Sequence, residues 1–257
     1  MEQFRGQHST AQHRLKSSLV LGYIIFLHLL IGVLIFKTNF IPKVRDKLFP
    51  SAPFTNTHGS EMIKYHLAMD GSVPNGAAIF LGDSITQGLA TAAIAPFSVN
   101  YGIGWATCPE ILRNIPTYKS LNRASVIFLL VGTNDIGRKW GAKLPSCYSN
   151  LINSLPPDTP LIWSGIMPVY SQNARNTEIQ KANLTIASLC SRRQNCIYVD
   201  TSALFSPDSG GATLFNDGLH PNSTGYQRWI EALKKAYFSA SRNQSNNSSM
   251  DSSLTST

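Results

Sequence analysis

The sequence predicts a three-layer α/β/α sandwich built on a five-stranded parallel sheet and preceded by one transmembrane helix. Three observations carry that prediction. Five short apolar runs alternate with helical patterns, as in a parallel sheet with helices on both faces. Two of those runs, Ala77–Leu81 and Ser125–Val131, end in a glycine followed at once by polar side chains. Ahead of them all lies an uncharged apolar stretch of membrane-spanning length.

The chain opens with a short basic tail, residues 1–16. Residues 17–37 form the predicted transmembrane helix. Ser17 to Phe36 holds no charged residue and is almost wholly apolar. A helix of the soluble core would show a polar face, and this one has none. A cleaved signal peptide would have a shorter apolar region followed by a small-residue cleavage site, and Lys37-Thr38-Asn39-Phe40 offers none. His28 reads as a neutral imidazole within the helix. Residues 38–58, with Pro42, Pro50 and Pro53, read as a linker. A helix over Gly59–Met69 leads into the domain, residues 59–238.

Within the domain the predicted strands are Ala77–Leu81, Ser98–Tyr101, Ser125–Val131, Leu161–Ile166 and Cys196–Val199. The predicted helices are Pro109–Asn114, Leu144–Leu155, Ala174–Cys190 and Ser223–Phe238. Residues 239–257 are Ser, Asn and Thr with few apolar side chains, a composition that predicts disorder.

The formal charge is +8, and residues 1–50 carry +5 of it, with seven basic side chains against Glu2 and Asp46. The remaining +3 does not mark a nucleic-acid surface on the domain. Basic residues flank the apolar stretch on both sides, so the positive-inside rule leans only slightly toward a cytoplasmic domain. Four cysteines, Cys108, Cys147, Cys190 and Cys196, allow two bridges or four buried thiols. Cys190 and Cys196 are close enough to pair around a short loop. None has C-x-x-C spacing, so no metal is expected. Sequons stand at Asn183, Asn222, Asn243, Asn246 and Asn247. The domain is placed outside the cytoplasm, in a periplasmic or luminal/extracellular space, because a membrane tether suits an envelope or luminal substrate.

The chemistry gathers around Gly82-Asp83-Ser84-Ile85-Thr86. A serine just past a central strand and before a helix sits at the rim of an α/β sheet, where such sheets place ligands. A helix start there aims backbone N–H groups at developing negative charge. Ser84 needs a base to act as a nucleophile, and of six histidines only His220 follows it. Asp217 stands three residues before His220, with Gly218 between to permit a tight bend. That places a carboxylate where it can orient an imidazole. At the end of the third strand, Asn134 offers an uncharged amide N–H to the same rim. The alternatives are ordinary ones: Ser84 as a helix cap, Asp217 as a turn former, Asn134 and Asp135 as an Asx turn.

Gly82-Asp83-Ser84-Ile85-Thr86, Gly132-Thr133-Asn134-Asp135 and Asp217-Gly218-Leu219-His220 resemble three of the four sequence blocks of the SGNH (GDSL-type) hydrolase superfamily, in the family's order. The resemblance spans roughly residues 75–238. It implies a flavodoxin-like fold with Ser84 as nucleophile, His220 as base and Asp217 as its partner. It implies that the Ser84 N–H and the Asn134 side chain stabilise an oxyanion, and that Asp83 is structural. The remaining block departs from the family's Asn-x-Gly-x-Ser-Gly pattern. This chain reads Asn100-Tyr101-Gly102-Ile103-Gly104-Trp105, so a residue is missing or Trp105 replaces the glycine. Gly104 is taken as the backbone donor, with Gly102 second. The G-x-S-x-G signature of α/β-hydrolases is absent around Ser84.

These residues imply a membrane-anchored serine esterase acting on short-chain acyl esters of a small molecule, glycan or lipid, without a cofactor. O-acyl transfer to an envelope or luminal glycan is the second reading. An inactive carbohydrate- or lipid-binding module is the third. Trp105, beside the expected oxyanion glycine, either narrows the acyl pocket or is a core or interface aromatic, and Trp140 and Tyr170 on loops are further candidates for substrate contact.

Overall fold

The computed structural model describes residues 19–33 and 57–254, with side chains as far as 242. The chain divides into two compact units, Met1–Thr55 and Asn56–Thr257. In the first, residues 19–33 are helical, and Leu19, Tyr23, Phe26 and Leu29 are among its exposed apolar side chains. Among the described residues no helix is long and apolar enough to cross a membrane. The ends of the predicted 17–37 span, the 1–16 tail and linker residues 38–56 lie outside the described residues.

The second unit begins with α1 (Thr57–Asp70) and then alternates. In order come β1 (Ala78–Gly82), α2 (Ser84–Gln87), β2 (Ser98–Gly102), α3 (Cys108–Asn114), β3 (Val126–Leu130) and α4 (Thr133–Gly137). They are followed by α5 (Leu144–Ser154), β4 (Leu161–Ser164), α6 (Asn176–Arg192), β5 (Cys196–Val199), α7 (Thr201–Leu204) and α8 (Ser223–Leu254). Every neighbouring strand pair is parallel, and the order across the sheet is β2-β1-β3-β4-β5. The connections leave β1 in one direction and β3 in the other. In open α/β sheets ligands sit beyond the carboxyl ends of the strands at such a point.

The buried strands have the apolar runs that a sheet covered on both faces requires. Alternate residues serve opposite layers. Ala78, Phe80, Val126 and Phe128 share a core with Trp229, Leu233 and Ala236 of α8. Phe80 and Phe128 are directly paired across β1 and β3, with stacked rings 4.1 Å apart. On β4, the fully buried Trp163 meets Tyr148 of α5 edge-on at 5.3 Å. Two disulfides staple the helical layers: Cys108–Cys147 joins α3 to α5, and Cys190–Cys196 closes the turn from α6 into β5.

All five predicted strands are present, with edges shifted by a residue or two. Strand β4 stops at Ser164 rather than Ile166 because a side chain takes over the backbone bonding. Asn183 accepts from Ile166 N at 2.7 Å and donates to Ile166 O at 2.9 Å. Helix α8 continues to Leu254, through the segment whose composition predicts disorder. Its packed first turns supply the costly nucleus, after which each added residue needs little further stabilisation.

Candidate active site

Ser84 is the first residue of α2, directly beyond β1. That helix is one turn of four residues, so the donor that matters is local rather than a macrodipole. Asp83 caps it, its Oδ1 accepting from Ile85 N at 3.0 Å. The turn is held from behind by Tyr226 of α8, whose hydroxyl donates to Ile85 O at 2.9 Å. Asp83 is fully buried, its Oδ2 has no hydrogen-bond partner, and burial pushes its carboxyl up to about 7. Its hydrogen bond with Ile85 N serves the turn that carries Ser84.

Ser84 Oγ lies 3.0 Å from His220 Nε2. His220 Nδ1 lies 2.8 Å from Asp217 Oδ2. The other carboxylate oxygen, Asp217 Oδ1, accepts from His220 N at 2.7 Å and Leu219 N at 3.0 Å. The His220 backbone bond is the largest of the effects that hold the Asp217 carboxyl down at about 2, with the imidazole and Leu219 N–H adding to it. The aspartate is therefore ionised across the range in which histidine titrates. The bend that brings it back onto the ring passes through Gly218, whose φ is +75°. A side chain there would also collide with the backbone N of Ser171 at 2.5 Å. That contact exists because Tyr170 N donates to Gly218 O at 2.7 Å, fastening the loop. The Tyr170 hydroxyl is turned inward to Phe205 O at 2.5 Å. Tyr170 thus holds the histidine loop through its backbone N–H.

On the other side of Ser84, Asn134 sits in the first turn of α4, and its Nδ2 donates one hydrogen to Ala106 O at 3.0 Å. The second hydrogen of that amide is unspent. Asp135 next to it is buried, and burial raises its carboxyl to about 6. Both its oxygens accept from Cys108 N, at 3.0 and 3.2 Å, which locks α3 against α4.

The glycine amides expected as oxyanion donors both have partners within the protein. Gly104 N already donates to Gln87 Oε1 at 2.6 Å, and Gly102 N to Asn100 Oδ1 at 2.8 Å. Among the described residues, the next amide along the loop, that of Trp105, has no hydrogen-bond partner, and neither has the Ser84 amide. Trp105 stands between Gly104, tied to α2, and Ala106, tied to Asn134. Its φ is +69°, a glycine-like conformation held by a tryptophan. Gln87, which ties this loop to α2, is a residue that the sequence did not single out. Its position in the serine block was visible, but its partner lies 17 residues on.

A serine, an oriented imidazole and unspent N–H donors at one sheet rim are the requirements of acyl transfer through a tetrahedral oxyanion. Among the described residues there is no group of His, Cys, Asp or Glu arranged to hold a metal ion.

Comparison with known proteins agrees. The GDSL-like lipase/acylhydrolase family matches residues 80–228. No curated protein matches the chain. Among solved structures, it resembles a Streptococcus pneumoniae protein assigned as platelet activating factor, at 25% identity and TM-score 0.63, covering 69% of this chain and 92% of that one. It also shares its fold with a variant of an acetyl xylan esterase from Geobacillus stearothermophilus, at 17% identity and TM-score 0.54, over 63% of this chain and 95% of that one. The C-terminal catalytic domain of Streptococcus pneumoniae peptidoglycan O-acetyltransferase A has the fold too, at 14% identity and TM-score 0.55, over 65% and 95%.

Proposed function

The chain belongs to the GDSL-like lipase/acylhydrolase family, and from that premise we propose that it is a membrane-anchored serine esterase cleaving short-chain acyl esters. The observation that carries the reading is the continuous relay Ser84 Oγ, His220, Asp217, with steps of 3.0 and 2.8 Å. Ser84 Oγ attacks the acyl carbonyl while His220 Nε2 takes its proton. Asp217 holds the opposite ring nitrogen as the N–H tautomer and stabilises the imidazolium. The carbonyl oxygen, now negative, accepts from the Ser84 N–H, the free Asn134 Nδ2 hydrogen and the Trp105 N–H. Trp105 takes the place of Gly104 here because the Gly104 amide is already bonded to Gln87. The imidazolium then gives its proton to the leaving alcohol. Water, deprotonated by the same nitrogen, releases the acyl group from Ser84.

The anchor and the location belong to the same proposal. An apolar helix exposed around its circumference over residues 19–33 is supported as a membrane element by the uncharged run that extends it in sequence. Two disulfides in the catalytic unit support an oxidising space outside the cytoplasm.

The test is turnover of p-nitrophenyl acetate by the full chain. It should require detergent for extraction and lose nearly all turnover in Ser84→Ala. Wild-type rates in Ser84→Ala would sink the esterase reading, and recovery of the intact chain in a detergent-free wash would sink the anchor.

A further inference from the structure

The loop whose Gly104 is tied to Gln87 and whose Ala106 is tied to Asn134 carries, with the segment after α4, a group of side chains that the reaction itself does not use. Trp105 is 64% exposed. Scattered exposed apolar residues are ordinary, but this one also sits at positive φ, where a bulky side chain is strained. Among the described residues three non-glycine residues have positive φ, and Lys139 (62°), four residues after Asp135, is a second. Strained backbone of this kind gathers where a ligand is met. An indole that gains no burial in the free protein, on a backbone that disfavours it, is accounted for if a ligand covers it.

The charges beside it specify that ligand further. Arg138 Nη2 donates to Trp105 O at 3.3 Å, and the Arg138 guanidinium carbon lies 5.4 Å from the Trp140 ring centroid. Lys143 Nζ lies 5.8 Å from the same ring. The exposed Arg138 thus bonds to the Trp105 backbone carbonyl and lies over the Trp140 ring. Among the described residues no carboxylate forms an ion pair with Arg138, Lys139 or Lys143. An unpaired, pre-positioned guanidinium is suited to a planar or tetrahedral anion.

We propose that this rim is the subsite for the alcohol part of the substrate, and that the alcohol is an anionic sugar. One ring face lies on the Trp105 indole, its C–H edges toward the negative π face. Its carboxylate or phosphate group lies on Arg138, with Lys139 and Lys143 adding charge. The ester is carried on a neighbouring hydroxyl, within reach of Ser84 Oγ. As a statement about substrate, the proposal rests on the esterase reading.

Binding tests it without needing turnover. Calorimetric titration of the full-length Ser84→Ala chain in detergent would use a galacturonic acid trisaccharide and the matching neutral galactose trisaccharide. The acidic sugar should bind at least about tenfold more tightly at low salt, the worth of one charge-assisted hydrogen bond, and salt should narrow the gap. Arg138→Gln should remove most of that preference, and Trp105→Ala should weaken both sugars. Galactose 6-phosphate distinguishes a phosphate from a carboxylate as the anion read. Equal affinity for acidic and neutral sugars, no binding of either, or a preference untouched in Arg138→Gln would overturn the proposal. So would complete displacement of the sugar by short-chain phosphatidylglycerol, which would make the rim a lipid headgroup site. Absence of p-nitrophenyl acetate turnover in the unmutated chain would overturn the esterase reading alone and leave the binding result standing.

Discussion

Gln87 Oε1 accepts from Gly104 N at 2.6 Å, and the same oxygen lies 3.3 Å from His58 Nε2. One side chain therefore joins the turn that carries Ser84, the first turn of α1 and the loop that presents the Trp105 amide. With Gly104 pinned, the next N–H along is the one left for an oxyanion. Gln87→Leu should release the loop and lower kcat roughly 10–100-fold, the scale of a misplacement of about 1 Å, with KM little changed. A matching rise in KM with kcat intact would show that Gln87 serves binding instead. The two glycines should part company in the same assay. A Cβ at Gly104 meets only the movable ends of Gln87 and His58, at 3.1 and 3.3 Å, whereas one at Gly102 meets the Gln87 backbone N at 2.3 Å. Gly104→Val should fold and turn over slowly; Gly102→Val should melt far below the wild type.

The relay gives a graded series. Ser84→Ala and His220→Ala should each cost roughly 10⁴–10⁶ in kcat, because members of a triad fail as a unit. Asp217→Asn keeps an oxygen to accept from the His220 and Leu219 amides and should cost less than either. Initial rates with p-nitrophenyl acetate on folded variants decide it. An Asp217→Asn loss larger than that of His220→Ala would remove Asp217 from its assigned role.

In the proposed mechanism Asn134 has two tasks, since one amide hydrogen holds Ala106 O at 3.0 Å and the other, which has no partner among the described residues, is assigned to the oxyanion. Asn134→Ala should lower kcat by about 10²–10³. Asn134→Asp places a negative charge where the oxyanion develops and should cost more. Substrate affinity should change little in the alanine variant, because the charge exists only in the transition state. An aspartate variant as active as the alanine one would mean that Asn134 does not face the oxyanion.

What was legible in the sequence was local. Glycine-ended apolar runs announced β1 and β3, and the three-residue step from Asp217 to His220 could be read as a folded-back pair because Gly218 lies between. What was not legible depends on partners distant in sequence. Asp70 ends α1 and accepts from Tyr101 Oη at 2.9 Å, from Ser120 Oγ and N, and from Lys119 N at 2.9 Å. Nothing in Ala68-Met69-Asp70 announces that network. The hydrogen bonding of the Gly102–Trp105 loop was not legible for the same reason. Spacing alone cannot say which of the Gly102, Gly104 and Trp105 amides is already consumed, and that depends on Gln87 and Asn100. The Cys190–Cys196 bridge could be anticipated from a short separation, while Cys108–Cys147 required the α3–α5 packing.

Asp83 should leave a signature in the pH dependence of stability. Burial raises its carboxyl from 3.8 to about 7 in the folded state, the His220 charge working against the rise and Asp135 with it. The folded state then holds a proton that the unfolded state releases near pH 4. The stability this contributes is complete below about pH 4 and is lost as pH rises through about 7. His66, lowered by burial to about 4, gives the opposite slope between about 6.5 and 4, so the wild-type curve alone mixes the two. The difference between Asp83→Asn and wild type isolates Asp83. The Tm of the variant relative to wild type should rise between pH 5 and pH 8. A difference that stays flat over that interval would mean that Asp83 is ionised in the fold.

The two disulfides should contribute unequally. Cys108–Cys147 closes a separation of 39 residues and Cys190–Cys196 one of 6. Loop-closure entropy then assigns about 4 kcal/mol to the first and about 2 kcal/mol to the second. The longer bridge also bears on the site. Cys108 N donates to both oxygens of Asp135, and the residue before Asp135 is Asn134. Replacing Cys108 and Cys147 by alanine should therefore lower Tm more than replacing Cys190 and Cys196, and should reduce kcat as well. The Cys190/Cys196 pair lies at the far side of the sheet, at β5, and its loss should cost stability with little loss of kcat. Melting curves and p-nitrophenyl acetate rates on the two double variants check both halves. If the Cys108/Cys147 variant melted lower yet kept full kcat, the bridge would support the α3–α5 packing without steadying Asn134.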